Sequence, residues 1–168
     1  MGPHVYSDDM RNAMHHIELW TSDVEVATPS FDWLFATLGW ALDHDPAWST
    51  GRIWQHPSGA YLVLEQSPDI SGPLERTHTG LNHLALRSTD RDQLDHLRAE
   101  ADQHGWRKMF SDRYSHTGGS DHTALLLENT EGFEIELVAD STFASAATIA
   151  FASVSSCSCA AEHFNAYQ

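Results

Sequence analysis

Thiols are nearly absent. The 168-residue chain has two cysteines, Cys157 and Cys159, and at one residue apart near the end they offer no disulfide framework to close the fold. As a C-x-C pair they would supply half of a soft-metal site, but no second thiol pair completes it, so both read as free thiols. Cationic side chains are also scarce: nine Lys and Arg stand against 24 Asp and Glu, a formal charge of −15. Such a surplus repels phosphate backbones and anionic headgroups, which argues against nucleic acid and membrane surfaces as partners. Long apolar runs are missing too. Met1 to Arg11 is polar and carries His4, Asp8 and Asp9, unlike an export signal, so the expected location is the cytoplasm. The Ala- and Ser-rich segment 141–168 is too short and too broken by serines in its apolar part to span a bilayer.

What is present suits one domain, or two small modules sharing a core. Hydrophobic residues make up 41% of the chain, and a chain of this length buries roughly 70% of its extended-chain surface on folding. After an N-terminal extension, 1–13, residues 14–70 and 80–140 follow the same order of elements. The strand MHHIELWT leads into a helical stretch in which Phe31, Leu34, Phe35 and Leu38 recur at helical spacing, with Gly39 at the expected C-cap. Strand-like pieces follow around Ala41 to His44, Arg52 to Gln55 and Ala60 to Glu65. The second half opens with LNHLALRS and continues into a helix with Thr89 and Asp90 as N-cap candidates, Leu94 and Leu97 on one face and a stop at Gly105. Strand-like pieces return at Trp106 to Phe110, His122 to Leu127 and Phe133 to Val138, and Ser111 to Asp121 reads as a loop. His83, Leu86 and Asp90 repeat the places of His16, Leu19 and Asp23 at a constant offset of 67 residues. Each half is strand, helix, three strands: an α+β fold of two βαβββ modules, each too small to bury its sheet alone. Segment 141–168 is expected to be a helix packed on the domain or an irregular tail.

Reading the strands by face isolates four residues. Side chains of a strand alternate between faces, so Ile17 and Leu19 oppose His16, Glu18 and Trp20, while Leu84 and Leu86 oppose His83. In YLVLE and FEIEL, Glu65 and Glu136 fall opposite the aliphatic set, as the histidines do. One helix per module covers one face of its sheet, leaving the other to line a cleft where His16, Glu65, His83 and Glu136 converge. Two imidazoles and two carboxylates suit one divalent ion: Zn, Ni, Co, Mn or Fe. Singly, each of these residues has a plain alternative as a hydrogen-bonded or solvated strand residue; together they favour a site. Trp20, Trp54 and Tyr61 are expected to share the cleft, Arg87 and Arg52 to be its few cations, and Arg113, Tyr114, His116 and His122 to close over it.

This pattern, histidine in the first strand and glutamate in the last strand of paired βαβββ units, resembles the vicinal oxygen chelate superfamily of glyoxalase I, extradiol dioxygenases and bleomycin and fosfomycin resistance proteins. The resemblance covers Met14 to Asp140. It implies a curved mixed sheet around a metal-binding cleft, with His16, His83 and Glu136 as ligands and Glu65 as the fourth ligand of glyoxalase-I-like members. It further implies a small-molecule substrate with two neighbouring oxygens, a metal-stabilised enolate, and modules paired either within one chain or across a homodimer. Glu65 as fourth ligand tilts the expectation toward a glyoxalase-type lyase or isomerase with Glu65 or Glu136 as base and Glu134 in support. The alternatives are an Fe(II) extradiol-type dioxygenase and a non-catalytic, bleomycin-resistance-like drug-binding protein. Glutathione suits the site poorly, because its two carboxylates want basic contacts. His15 is expected to face away as a structural residue, and His44, His56, His78, His96 and His104 to lie on the surface.

Overall fold

The computed structural model describes residues 14–43, 45–88, 90–116 and 122–139; the extension 1–13 and the segment 141–168 lie outside them. Module 1 runs β1 (His16–Trp20), α1 (Val24–Thr37), β2 (Ala41–Asp43), β3 (Gly51–Gln55) and β4 (Tyr61–Glu65). Module 2 runs β5 (Leu84–Ser88), α2 (Arg91–Glu100), a 3-10 turn (Ala101–His104), β6 (Trp106–Lys108), β7 (Ala124–Asn129) and β8 (Glu134–Ala139). Residues 111–115 form turns, and 117–121 lie outside the described set.

The two aspartates of the repeat start the two helices. Asp23 accepts from the backbone N–H groups of Glu25 and Val26, and Asp90 from that of Gln93, which satisfies donors that a first helical turn leaves unpaired. At the far end Gly105, with φ of 80°, closes the turn after α2, a left-handed conformation that costs glycine little.

Each module forms its own four-stranded mixed sheet, in the order β1-β4-β3-β2 and β5-β8-β7-β6. The first and last strands of a module pair in parallel, with Ile17 opposite Leu62 and Leu84 opposite Ile135. Both sheets turn their aliphatic faces, Leu19, Leu62 and Leu64 in one and Leu125, Ile135 and Leu137 in the other, into one continuous core. Phe31 of α1 joins the halves: its ring centroid lies 6.0 Å from Trp54, 5.4 Å from Trp106 and 5.6 Å from Phe133. Polar ties reinforce the joint. Trp106 Nε1 donates to Ser30 O at 2.9 Å, Gln93 Nε2 to Thr37 O at 2.9 Å, and Glu131 accepts from Thr21 Oγ1 at 2.5 Å and from Ser22 N at 2.9 Å. Among the described residues no helix is long and apolar enough to cross a membrane.

Candidate functional site

Strand register decides which side chains share the outer face of each sheet, because residues paired across a ladder point the same way. In module 1 His16 is opposite Tyr61, Glu18 opposite Val63 and Trp20 opposite Glu65, so these six stand on the face turned away from the core. His16 stacks on Tyr61, with centroids 4.7 Å apart and planes 3° from parallel. His15, expected to face away, instead joins them: its Nδ1 lies 2.9 Å from Nδ1 of His16 and its ring meets Tyr61 edge-on at 5.1 Å. The reason is that His15 precedes the paired strand and escapes its alternation. Trp20 is exposed and donates from Nε1 to Glu18 Oε1 at 2.6 Å. The carboxyl of Glu65 is raised above its ordinary value, first by loss of hydration and then by the neighbouring Glu18 carboxylate, which also hydrogen-bonds it.

In module 2 Ala85 is opposite Glu136 and Arg87 opposite Val138. His83, two residues before Ala85, lies on that face, its Nε2 3.3 Å from Glu136 Oε2. A third residue completes the group: His122 Nε2 lies 2.8 Å from Glu136 Oε1. Glu136 is half-buried between two imidazoles, one on each carboxylate oxygen. The sequence places His122 at the start of a strand-like piece and among the residues closing over the cleft, not as a partner of Glu136; a signal for that contact is its position two residues before Ala124, the residue opposite Val138 on this same face.

Four further expectations are corrected. Trp54 is opposite Leu62 and Arg52 opposite Leu64, which puts both on the core side. Trp54 is fully buried against Phe31 and Phe35 and donates from Nε1 to Asp32 Oδ1 at 3.1 Å; Arg52 pairs with Glu25 of α1. Tyr114 packs on α2 rather than over the outer face: its hydroxyl donates to Asp95 Oδ1 at 2.8 Å, and Arg98 lies 4.8 Å from its ring. Burial and the Asp95 carboxylate push its hydroxyl up to about 12.

The fourth concerns Glu65. Glu136 is opposite the second residue of β5, Ala85. The matching position in module 1, opposite Glu18, is held by Val63. Glu65 stands at the level of Trp20, four residues from that of His16, which is about 13 Å along a strand. It is therefore not the counterpart of Glu136, and the matching position in module 1 is the apolar Val63.

Module 1 supplies His16 and module 2 supplies His83 and Glu136, each on an outer face of its own sheet. Among the described residues no group of three or more His, Cys, Asp or Glu side chains is disposed to hold a metal ion. The outer faces approach at one end, where the linker between the modules crosses a cavity of about 300 Å³ lined by Glu18, Trp20, Leu74, Arg76, His83 and Glu134 among others. Glu134 is buried there with Arg76 Nη1 3.1 Å from its Oε2, and Arg76 Nε also reaches Glu128 Oε1 at 3.5 Å. The cavity's arginine is thus already held by carboxylates, and Glu134 serves that pairing rather than Glu136.

Comparison with known proteins agrees with this architecture. Residues 15–125 match the model of the glyoxalase/bleomycin resistance protein/dioxygenase superfamily. The uncharacterized protein YqjT of Bacillus subtilis is 34% identical over 130 residues, covering 76% of this chain and 99% of that one. A provisional glyoxalase of Bacillus halodurans superposes with a TM-score of 0.70 at 30% identity, covering 77% of this chain and 97% of its own. A fosfomycin resistance protein of Listeria monocytogenes, solved with Mn(II) and a dihydroxypropylphosphonic acid, shares the fold with a TM-score of 0.51 at 12% identity, covering 79% of this chain and 94% of its own.

Proposed function

The chain belongs to the glyoxalase/bleomycin resistance protein/dioxygenase superfamily, and from that premise we propose that it is a divalent-metal-dependent lyase or isomerase of the glyoxalase type. Its substrate is a small molecule that presents two neighbouring oxygens and loses a proton alpha to a carbonyl. The observation that carries this reading is the contact of His83 Nε2 with Glu136 Oε2 at 3.3 Å. Adjacent donors on one ion, at bond lengths of about 2.1 Å, stand about 3 Å apart, so the pair is spaced as ligands are. His16 is the third donor, and because it stands on the other sheet of the same chain, the set is completed by His16 of a second copy in a homodimer.

A bound divalent ion supplies Lewis-acid polarisation of the substrate's oxygens. The chain's own residues do the rest. Glu136, the carboxylate next to the imidazoles, accepts the substrate proton. Glu65, about 13 Å along its strand from the level of His16, is left out of this role in the reading proposed here. Trp20 and Tyr61 offer aromatic surface beside His16, suited to an apolar or ring-bearing substrate. The carboxylates Glu18, Glu75 and Glu134 of the cavity, against the single Arg76, disfavour substrates rich in carboxylates such as glutathione adducts.

Val63 favours a second reading. Without a donor there, two histidines and one carboxylate would hold the ion, the set used by iron oxygenases that must seat a bidentate substrate and dioxygen together. One experiment separates the readings. Protein purified without added metal is analysed for bound metal, then loaded with Ni(II) or Fe(II) and assayed with 2-oxo aldehydes, hydroxy acids and catechols. Deuterium uptake alpha to the carbonyl supports the lyase or isomerase, and catechol-dependent oxygen consumption supports the dioxygenase. Failure to retain any divalent metal sinks both and leaves the drug-binding alternative.

A further inference from the structure

We infer that His122 is a positioning residue for the metal-binding carboxylate Glu136, an inference that rests on the reading above. Glu136 has two oxygens and two imidazole neighbours, and the contacts are unequal: His122 Nε2 stands 2.8 Å from Oε1, His83 Nε2 3.3 Å from Oε2. The shorter contact is a well-formed hydrogen bond to a carboxylate, the stronger class of such bonds; the longer one is loose. The hydrogen bond between His122 Nε2 and Oε1 pins the side chain. Oε2 is thereby left facing His83, the partner with which it would share an ion.

The position of His122 in the fold explains how it reaches Glu136. It precedes β7, while His83 precedes β5, and the strands run on opposite sides of β8. The two imidazoles therefore bracket one carboxylate from opposite flanks of its strand. Module 1 has no counterpart to this clamp, because the position of Glu136 is there Val63 and needs no orienting. Carboxylates that ligate metals are themselves commonly hydrogen-bonded, and losing that outer partner typically costs about 10- to 100-fold in metal affinity.

The test uses the full-length protein, with Co(II) and Zn(II) as probes. Affinity is measured by competition with a chromophoric chelator, and the Co(II) absorption spectrum reports the ligand set. His122→Ala is expected to weaken binding by about 10- to 100-fold without changing the Co(II) band positions, and His122→Gln, which restores an amide donor, to recover part of the loss. Thermal melts of the metal-free variants serve as the fold control, since His122 is only partly covered. Wild-type protein that binds no metal overturns the functional reading itself. Wild-type binding with unchanged affinity in His122→Ala overturns the clamp alone. A shifted Co(II) spectrum in both variants, with no recovery in His122→Gln, also overturns it, by making His122 a ligand.

Discussion

Replacing Trp54 distinguishes a core residue from a pocket residue. Its side chain is fully buried between Phe31 and Phe35, with ring centroids 6.0 and 5.2 Å away, and its Nε1 reaches Asp32 of α1 at 3.1 Å. An indole buries on the order of 200 Å², which at about 25 cal/mol per Å² is about 5 kcal/mol of transfer free energy as an upper figure. Aromatic-to-alanine changes in cores fall at about 3–5 kcal/mol, so Trp54→Ala should lose about 4 kcal/mol. Trp54→Phe keeps most of the packing and removes the indole donor, isolating a smaller cost of about 1 kcal/mol for the bond to a partly exposed carboxylate. Urea denaturation followed by far-ultraviolet circular dichroism measures both, and the Co(II) affinity of the folded Phe variant should equal that of the wild type. Unchanged stability in Trp54→Ala, or a loss of ligand binding in Trp54→Phe with stability retained, would refute the placement of this residue on the core side.

Two further outcomes follow from the same geometry. Glu131→Ala removes the acceptor that ties module 2 to Thr21 and Ser22 at the start of α1; with hydrogen bonds to charged groups worth about 1.5–3 kcal/mol each and partial exposure reducing them, a total loss of about 2 kcal/mol is expected in the same denaturation assay, and a change below about 0.5 kcal/mol would show the tie to be idle. Glu65 holds its proton more tightly in the folded chain than in the unfolded one, by loss of hydration and by the nearby Glu18. Its contribution to stability therefore declines as pH rises from the ordinary value of 4.5 through the higher folded value. Carboxyl-detected NMR titration should show Glu18→Gln lowering the Glu65 midpoint, and an unmoved midpoint would remove Glu18 as a cause.

Much of the candidate site was legible because its signals are local. A strand alternates with period two wherever it sits, so HIELW separates His16 and Glu18 from Ile17 and Leu19 without any knowledge of partners. The start of α2 was equally legible, since Asp90 at the N-cap acts on an N–H group three residues away. His83 and Glu136, assigned to one face by alternation in separate strands, do meet at 3.3 Å.

Trp54 and Glu65 show where that legibility stops. In GRIWQ either parity is compatible with burial, because both Ile53 and Trp54 are apolar; only pairing with Leu62 puts the tryptophan inward. Glu65 has the right face and the wrong level, and level along a sheet is a property of two strands, set by the ladder between β1 and β4. His122 has the right parity two residues before Ala124, but its contact with Glu136 depends on β7 lying next to β8, which alternation within one strand does not reveal. The amino-acid sequence by itself determined the modules, the start of α2 and the outward-facing histidines, because each follows from interactions spanning a few residues. Tertiary structure alone decided that Val63 rather than Glu65 is the counterpart of Glu136 and that the two outer faces flank one core joined through Phe31, because register and sheet packing are fixed by contacts between segments far apart in the chain.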